Sequence, residues 1–183
     1  MDLIRVGDKV IDKQKIYRAV DRLLEYRASG LSQQEVATQI GVDRAFVSKL
    51  ESMGEVRRGK RIALIGFPIK NKDEIAQVAS SLGVDLVILM TDAERWQYVR
   101  EKSGEVLINE LMRLMSAVKR FDVVIFIGSD MRLRLVEAIL GSKVVGVEIG
   151  TSPITEDKYV DPELIRETIS QLKVKDGHKI DQT

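Results

Sequence analysis

The spacing of apolar residues changes near residue 60, and this change limits what the chain can fold into. Before about Gly59, apolar residues recur every three or four positions, the period of a helix that buries one face. After Arg61, short β-branched runs alternate with longer amphipathic stretches. The chain therefore predicts two domains, 1–58 and 59–175, followed by a flexible tail over 176–183.

Four runs in the second segment have the length and composition of buried strands: 61–67, 84–91, 122–128 and 143–149. Helical patterns follow them over 72–82, 93–120, 131–140 and 162–172. Nearly continuous apolar strands that alternate with helices are typical of a parallel sheet covered on both faces. The fold class predicted for this segment is α/β, a Rossmann-like domain with a four-stranded parallel sheet.

The first segment predicts a short strand or extended arm over 4–11 and three helices over 13–29, 32–41 and 43–52. Gly30 is a plausible residue to close the first helix. Ser32 and Glu35 have the spacing of a capping box at the start of the second. Gly41 ends that helix, because glycine adopts a left-handed turn conformation most easily. We therefore expect an N-terminal helical domain.

The spacing within Leu31–Glu51 (LSQQEVATQIGVDRAFVSKLE) is more specific than that of an ordinary helical hairpin. Ala37 falls where the two helices cross, a position at which only a small side chain fits, and Gly41 supplies the turn. Five apolar residues are expected to form the shared core: Val36, Ile40, Val42, Val47 and Leu50. The stretch resembles the helix-turn-helix of phage-repressor transcriptional regulators, the Cro-like or xenobiotic-response-element type.

In that family the second helix enters the major groove of DNA. The resemblance implies base contacts by four residues of this helix and phosphate contacts by two of the preceding one: Arg44, Ala45, Ser48 and Lys49, and Gln33 and Gln34. Arg57 and Arg58, in the basic run 57–61 (RRGKR), either add phosphate contacts or belong to a solvated linker. The structural alternative is a helical hairpin that only packs on the α/β domain.

Charge is divided unevenly along the chain, although the net charge is only +1. Residues up to Arg61 include 13 Lys and Arg against 9 Asp and Glu, and the remainder include 16 against 19. A polyanionic partner is therefore expected to bind the N-terminal end.

Ligands of open parallel sheets bind at the carboxyl ends of the strands. Eight residues at or just beyond three predicted strand ends are candidates: Gly66, Phe67, Gly128, Ser129, Asp130, Arg132, Thr151 and Ser152. Gly128 and Ser129 precede a helix N-terminus, a natural anion site, although Asp130 can simply cap that helix. The chain has no dinucleotide fingerprint and no P-loop. A small-molecule effector and a purely structural or oligomerising domain both remain open.

Catalysis, cofactors and metals are not expected. The chain has no cysteine, and its one histidine, His178, lies in the polar tail without converging partners. Three carboxylates near the presumed ligand end are more simply read as helix caps than as general bases: Asp92, Asp130 and Glu148. The absence of a signal-peptide start and of an apolar run of about 20 residues predicts a cytoplasmic protein without a membrane partner.

A helical stripe of Leu107, Leu111, Leu114 and Val118 has heptad-like spacing, which suits either a dimer contact or coverage of the sheet. Gly104 also divides this stretch into two helices or lies within one. The phage-repressor family usually continues with two more helices where a strand is predicted here, so a dimer must form elsewhere.

Together these features predict a sequence-specific regulator of transcription that binds double-stranded DNA. It would act as a homodimer with recognition helices about 34 Å apart, and its α/β domain would oligomerise, sense a small-molecule effector, or both. Two alternatives are an α/β enzyme with an appended helical domain and a protein-interaction adaptor.

Overall fold

The computed structural model describes residues 2–174 and divides the chain into two units between Glu55 and Val56. The predicted domain boundary lies slightly further along, between residues 58 and 59. The predicted tail over 176–183, and with it His178, lies outside the described residues.

A two-stranded antiparallel hairpin opens the first unit. Strand β1 (Leu3–Val6) pairs with β2 (Lys9–Asp12) across a two-residue loop. Gly7, the first loop residue, has a φ of 58°. A type II′ turn needs positive φ at this position, and glycine supplies it without strain. The expected single strand or arm is thus two strands, because this glycine reverses the chain within the run.

Three helices complete the first unit: α1 (Lys13–Ala28), α2 (Gln33–Ile40) and α3 (Arg44–Gly54). The predicted capping box is present, because the Ser32 hydroxyl accepts from the N–H of Glu35 while the Glu35 carboxylate accepts from the N–H of Ser32. Gly41 follows α2 with a left-handed φ of 78°. Asp43 is the N-cap of α3, without a side-chain hydrogen bond.

The core of the first unit lies between these helices. Leu23, Val36, Ala37 and Val47 are at most 1% exposed. Partly buried residues pack around them, including three of the predicted core: Ile40, Val42 and Leu50. Every residue expected in the shared core of the helix pair is therefore found there.

The second unit is built on the predicted four-stranded parallel sheet: β3 (Ile62–Gly66), β4 (Leu86–Leu89), β5 (Val123–Gly128) and β6 (Val144–Glu148). The spatial order is β4-β3-β5-β6. All residues of the two central strands, β3 and β5, are buried. Coverage of both faces explains why these strands are continuous apolar runs rather than alternating ones.

Five α-helices accompany the sheet: α4 (Lys72–Ser81), α5 (Asp92–Arg100), α6 (Gly104–Val118), α7 (Asp130–Leu140) and α8 (Pro162–Leu172). The stretch 93–120 contains two helices, because the Ser103 hydroxyl accepts from the N–H of Val106 and caps α6. A short 3₁₀ turn, Gly141–Lys143, leads into β6.

The helices cover the sheet from both sides. Ile62 and Leu64 of β3 join a core with residues of α4 and α8, whereas Ile65 joins a second core with Val118 of α6 and Leu133 of α7. Successive residues of a strand point to opposite faces, so these cores lie on opposite sides of the sheet. In the sheet, β4 lies on one side of β3, and the chain then crosses back so that β5 lies on the other side of β3. The ends of β3 and β5 therefore flank a switch point in strand order, where open α/β sheets bind ligands.

The apolar stripe predicted along α6 is divided in two. Val118 is 2% exposed and packs on the sheet together with Leu114, so sheet coverage is the correct interpretation for these residues. Leu111, in contrast, is 58% exposed, as are its neighbours Ile108 (64%) and Met112 (66%).

Candidate functional site

One face of α3 carries the four residues predicted to contact bases. Arg44, Ala45 and Lys49 are exposed and Ser48 is half-buried. Arg44, Ala45 and Ser48 line one shallow depression in the surface. At the pitch of an α-helix the four residues span an arc of about 140°, which also includes Ser52, and no residue of α3 itself places a carboxylate within this arc. Val47, on the other side of α3, is buried in the core.

A single carboxylate, that of Glu51 in α3, connects the three helices of the first unit. Its Oε1 accepts from Nε of Arg27 in α1 at 2.5 Å, and its Oε2 accepts from Nε2 of Gln33 in α2 at 2.7 Å. The hydrogen bonds from Arg27 and from Gln33 lower the pKa of Glu51 from its usual 4.5. The ionised carboxylate therefore helps to hold α3 in position at neutral pH.

The two glutamines predicted to contact phosphate are placed differently. Gln34 is exposed, so its amide is free to reach a partner. Gln33 is half-buried, and its amide already donates to Glu51. A phosphate contact through the Gln33 side chain requires that this internal bond be given up.

The basic run 57–61 belongs to the second unit. The backbone N–H of Arg57 donates to the carbonyl of Ser142 at 2.9 Å. Asp122 Oδ2 accepts two more backbone hydrogen bonds from the run, both at 3.0 Å. The backbone is thus fixed along the second unit rather than being a solvated linker, while the side chains of Arg57 and Arg58 are exposed.

Because the basic run 57–61 belongs to the second unit, the helical unit has no net charge of its own. Residues 1–55 contain nine basic and nine acidic residues, so the excess positive charge of the first 61 residues comes from the run 57–61. Attraction of a polyanion to the first unit must therefore depend on where its cations lie rather than on its net charge.

Two of the predicted ligand residues, Phe67 and Arg132, are in contact at the switch point, and Ser129 follows the end of β5 there. The guanidinium of Arg132 lies 4.9 Å from the centroid of the Phe67 ring. Phe67 meets Phe126 edge to face, with centroids 5.9 Å apart. Ser129 is fully buried, although its Oγ makes no hydrogen bond to any described residue.

Asp130 ties the loop after β6 to the start of α7. Its carboxylate accepts from the N–H of Ser152 at 2.8 Å and from the guanidinium of Arg134 at 3.0 Å. These interactions, that with Ser152 foremost, lower the pKa of Asp130 from its usual 3.8. A lowered pKa makes the Asp130 carboxylate a weaker proton acceptor, and it is therefore poorly matched to general-base catalysis near neutral pH. Thr151, in the same loop, is exposed.

The glycines that end β3 and β5 serve packing. A Cβ at Gly66 would lie 2.9 Å from Cβ of Ile127 on the neighbouring strand. A Cβ at Gly128 would lie 2.7 Å from the ring of Phe126. Close packing in the sheet therefore accounts for both residues without a ligand.

Arg95 also belongs to this region and escapes prediction from the sequence. It lies in the first turn of α5, after β4, as Arg132 lies in the first turn of α7, after β5. Its Nη2 donates to Asp92 Oδ1 at 2.6 Å, and its guanidinium lies 4.6 Å from the centroid of the Trp96 ring. The position of Arg95 in the sequence could have indicated it, because the helix dipole disfavours a cation in the first turn of a helix.

Electrostatics connect the two arginines. Burial lowers the pKa of Arg132, and the charge of nearby Arg95 lowers this pKa further, whereas Asp92 raises it. The folded chain therefore holds two like charges close together, one on α5 and one on α7.

Among residues 2–174, no group of three or more His, Asp or Glu side chains is placed to hold a metal ion. None of the helices in this range combines the length and apolar character needed to cross a membrane. No protein-family model matches the chain, and neither curated proteins nor solved structures include a significant match to it. Function must therefore be inferred from the residues of the chain itself.

Proposed function

We propose that the protein is a sequence-specific DNA-binding regulator of transcription that reads double-stranded DNA with α3. The observation that carries this proposal is the exposed face of α3, which presents two cations and three small side chains, and to which no residue of the helix itself adds a carboxylate. Arg44 and Lys49 can donate to guanine O6 and N7, and Ala45 can pack on a thymine methyl group. The opposite face of the helix is committed to the core through Val47.

The proposed regulator acts as a homodimer. A single small module makes too few contacts for tight specific binding, whereas two modules on one site share the cost of association. The helices that usually extend the phage-repressor domain are absent, because residues 57–61 and β3 follow α3 directly. The dimer contact is therefore assigned to the second unit.

An exposed apolar face on the second unit suits this contact. We name it the α6–α7 surface: Ile108, Leu111 and Met112 of α6, and Met131, Leu135 and Ile139 of α7, each 50–66% exposed. Both helices pack on the same face of the sheet. At 100° per residue, the three α7 residues lie on the side of their helix opposite Leu133, which packs on the sheet. Each helix therefore presents exposed apolar side chains on the same side of the sheet.

The size of the α6–α7 surface favours a second copy of the chain as its occupant. Its side chains expose on the order of 600 Å² of apolar area, against the ~800 Å² that each partner buries in a standard interface. An apolar patch of this size is at the upper end of what a monomer exposes. The same unit is proposed to couple dimer geometry to a small-molecule effector at the switch point.

Selection of DNA from a random library with the purified chain tests the proposal directly. Enrichment of a palindromic site is expected, because two symmetric modules read two half-sites. The double variant Arg44→Ala, Lys49→Ala should weaken binding to the selected site by about thirtyfold or more, since each base contact contributes ~1–3 kcal/mol.

The matched control is Arg100→Ala, Arg113→Ala, which removes two exposed arginines from α5 and α6 of the second unit. It changes the net charge equally and should leave affinity nearly unchanged. Failure to enrich any sequence, or equal losses in both double variants, would refute the assignment of α3 as the DNA-reading helix.

A further inference from the structure

The arginines at the carboxyl end of the sheet, Arg95 and Arg132, are poorly satisfied by the protein around them. Nε of Arg95 and Nη1 of Arg132 are buried and make no hydrogen bond to any described residue. No carboxylate in residues 2–174 lies within ion-pair distance of Arg132, although Asp92 pairs with Arg95 at 2.6 Å. Buried donors without a partner are costly, and donors on charged groups are the most costly.

Three further features indicate that packing within the folded chain does not by itself explain why Arg95 and Arg132 occupy these positions. Both arginines lie in the first turn of a helix, where the dipole opposes positive charge. Their guanidinium groups are close enough for the charge of Arg95 to lower the pKa of Arg132. The Arg132 guanidinium lies 4.9 Å from the centroid of the Phe67 ring, and its buried Nη1 has no acceptor among the described residues. A negatively charged partner would offset all of these costs.

The surroundings supply the rest of a binding site. Ser129 is fully buried at the N-cap of α7, and its Oγ is a third polar atom without a partner. Ser129 and Phe67 follow the ends of β5 and β3, which flank the switch point of the sheet. Asp92 accepts a hydrogen bond from Arg95 and neutralises its positive charge. The positive charge of Arg132 is therefore the one available to a negatively charged ligand.

We infer that Arg132, Arg95 and Ser129 form a binding site for an oxyanion, the phosphate or carboxylate group of a small ligand. Guanidinium groups match the planar, two-oxygen edge of these anions and donate to them with charge-assisted hydrogen bonds. The Ser129 hydroxyl donates a further hydrogen bond. This site deepens the effector-sensing part of the proposed function, and it requires neither DNA binding nor dimerisation.

Titration of the full chain, without DNA, tests the inference. The probes are inorganic phosphate and succinate, each compared with sodium chloride at equal ionic strength. The single tryptophan, Trp96, reports binding through its fluorescence, because its ring lies 4.6 Å from the Arg95 guanidinium. A saturable change with phosphate identifies a phosphate ligand, and one with succinate identifies a carboxylate ligand. No saturable change with either probe overturns the inference.

Variants then locate the site. Arg132→Gln and Arg95→Gln should each weaken binding about tenfold, the effect of losing one hydrogen bond to a charged group. Arg95→Gln is followed by calorimetry, because it also alters the surroundings of Trp96. Arg134→Gln is the control, since it makes the same charge change in α7 at a side chain that is 70% exposed. Unchanged affinity in Arg132→Gln, or an equal loss in Arg134→Gln, overturns the inference.

Thermal unfolding separates binding from a structural role. The charged guanidinium of Arg132 is disfavoured where it lies, so Arg132→Gln without ligand should unfold at the same or a higher temperature. Whichever of phosphate and succinate binds more tightly should raise the unfolding temperature of the original chain but not that of Arg132→Gln. Where Arg132→Gln does not fold, Arg132→Lys keeps the charge without the planar donor edge and should still bind more weakly. Full affinity in Arg132→Lys then counts against the site.

Discussion

Placing a charge at Leu135, the middle residue of the exposed α7 stripe in the α6–α7 surface, tests the homodimer. Leu135 is 61% exposed, and complete burial of a leucine side chain stabilises by about 1.5–3 kcal/mol. Covering the exposed part is therefore worth about 1–2 kcal/mol in each copy, or about 2–4 kcal/mol in a symmetric dimer. Leu135→Glu removes this contribution and adds the cost of burying a carboxylate. The dimer dissociation constant should rise by a factor of about 30–1,000 or more.

Sedimentation velocity over a wide range of protein concentrations measures this change. The original chain should sediment as a dimer and Leu135→Glu largely as a monomer. Because Leu135 is exposed, the folded monomer should change in stability by no more than about 0.5 kcal/mol. Gln171→Glu is the control, since it adds the same charge at an exposed position of α8 on the opposite face of the sheet.

Two results would contradict the assignment of this surface. One is a monomeric original chain at every concentration, which would leave the α6–α7 surface without a second copy. The other is an undisturbed Leu135→Glu dimer, which would place the contact elsewhere.

Two further predictions concern the stability of the helical unit. Ala37→Leu should lower the free energy of unfolding of the helical unit in urea by about 1–3 kcal/mol, because Ala37 is 1% exposed and a larger side chain overpacks the core. Ala45→Leu, at an exposed position, should change this free energy little. Equal effects of the two substitutions would contradict the assignment of Ala37 to the point where the helices cross. Hydrogen bonds lower the pKa of Glu51 in the folded unit, so its contribution to stability should be present above about pH 4.5 and be lost as the pH falls through the lower folded pKa. Glu51→Gln should reduce this pH dependence of stability, which acid unfolding followed by circular dichroism measures. An unchanged profile would show that Glu51 is not the source of the dependence.

Local patterns in the sequence predicted most of the secondary structure. The predicted range of α8, 162–172, is the observed one, and each strand of the parallel sheet lies within its predicted run. The capping box and the left-handed glycine after α2 were predictable because each involves residues within one turn of the chain. The hairpin was not recognised, since one glycine marks its turn in a run of only eight residues.

The candidate sites were predictable only in part. The exposed face of α3 follows from helical spacing once the core residues are known. The same reasoning did not show that Gln33 bonds to Glu51, or that residues 57–61 are held by Asp122, more than sixty residues away in the chain. Both contacts join elements whose relative placement no local pattern specifies.

The sequence alone determined which segments become helices and strands, because propensity, capping and hydrophobic period act over a few residues. Tertiary structure decided the strand order β4-β3-β5-β6, and with it which strand ends flank the switch point. It brought Arg95 close to Arg132, although 37 positions separate them in the chain. It also left Leu111 exposed while Val118, on the same predicted stripe, is buried. These outcomes depend on which distant surfaces pack together, and packing is chosen by the fold as a whole.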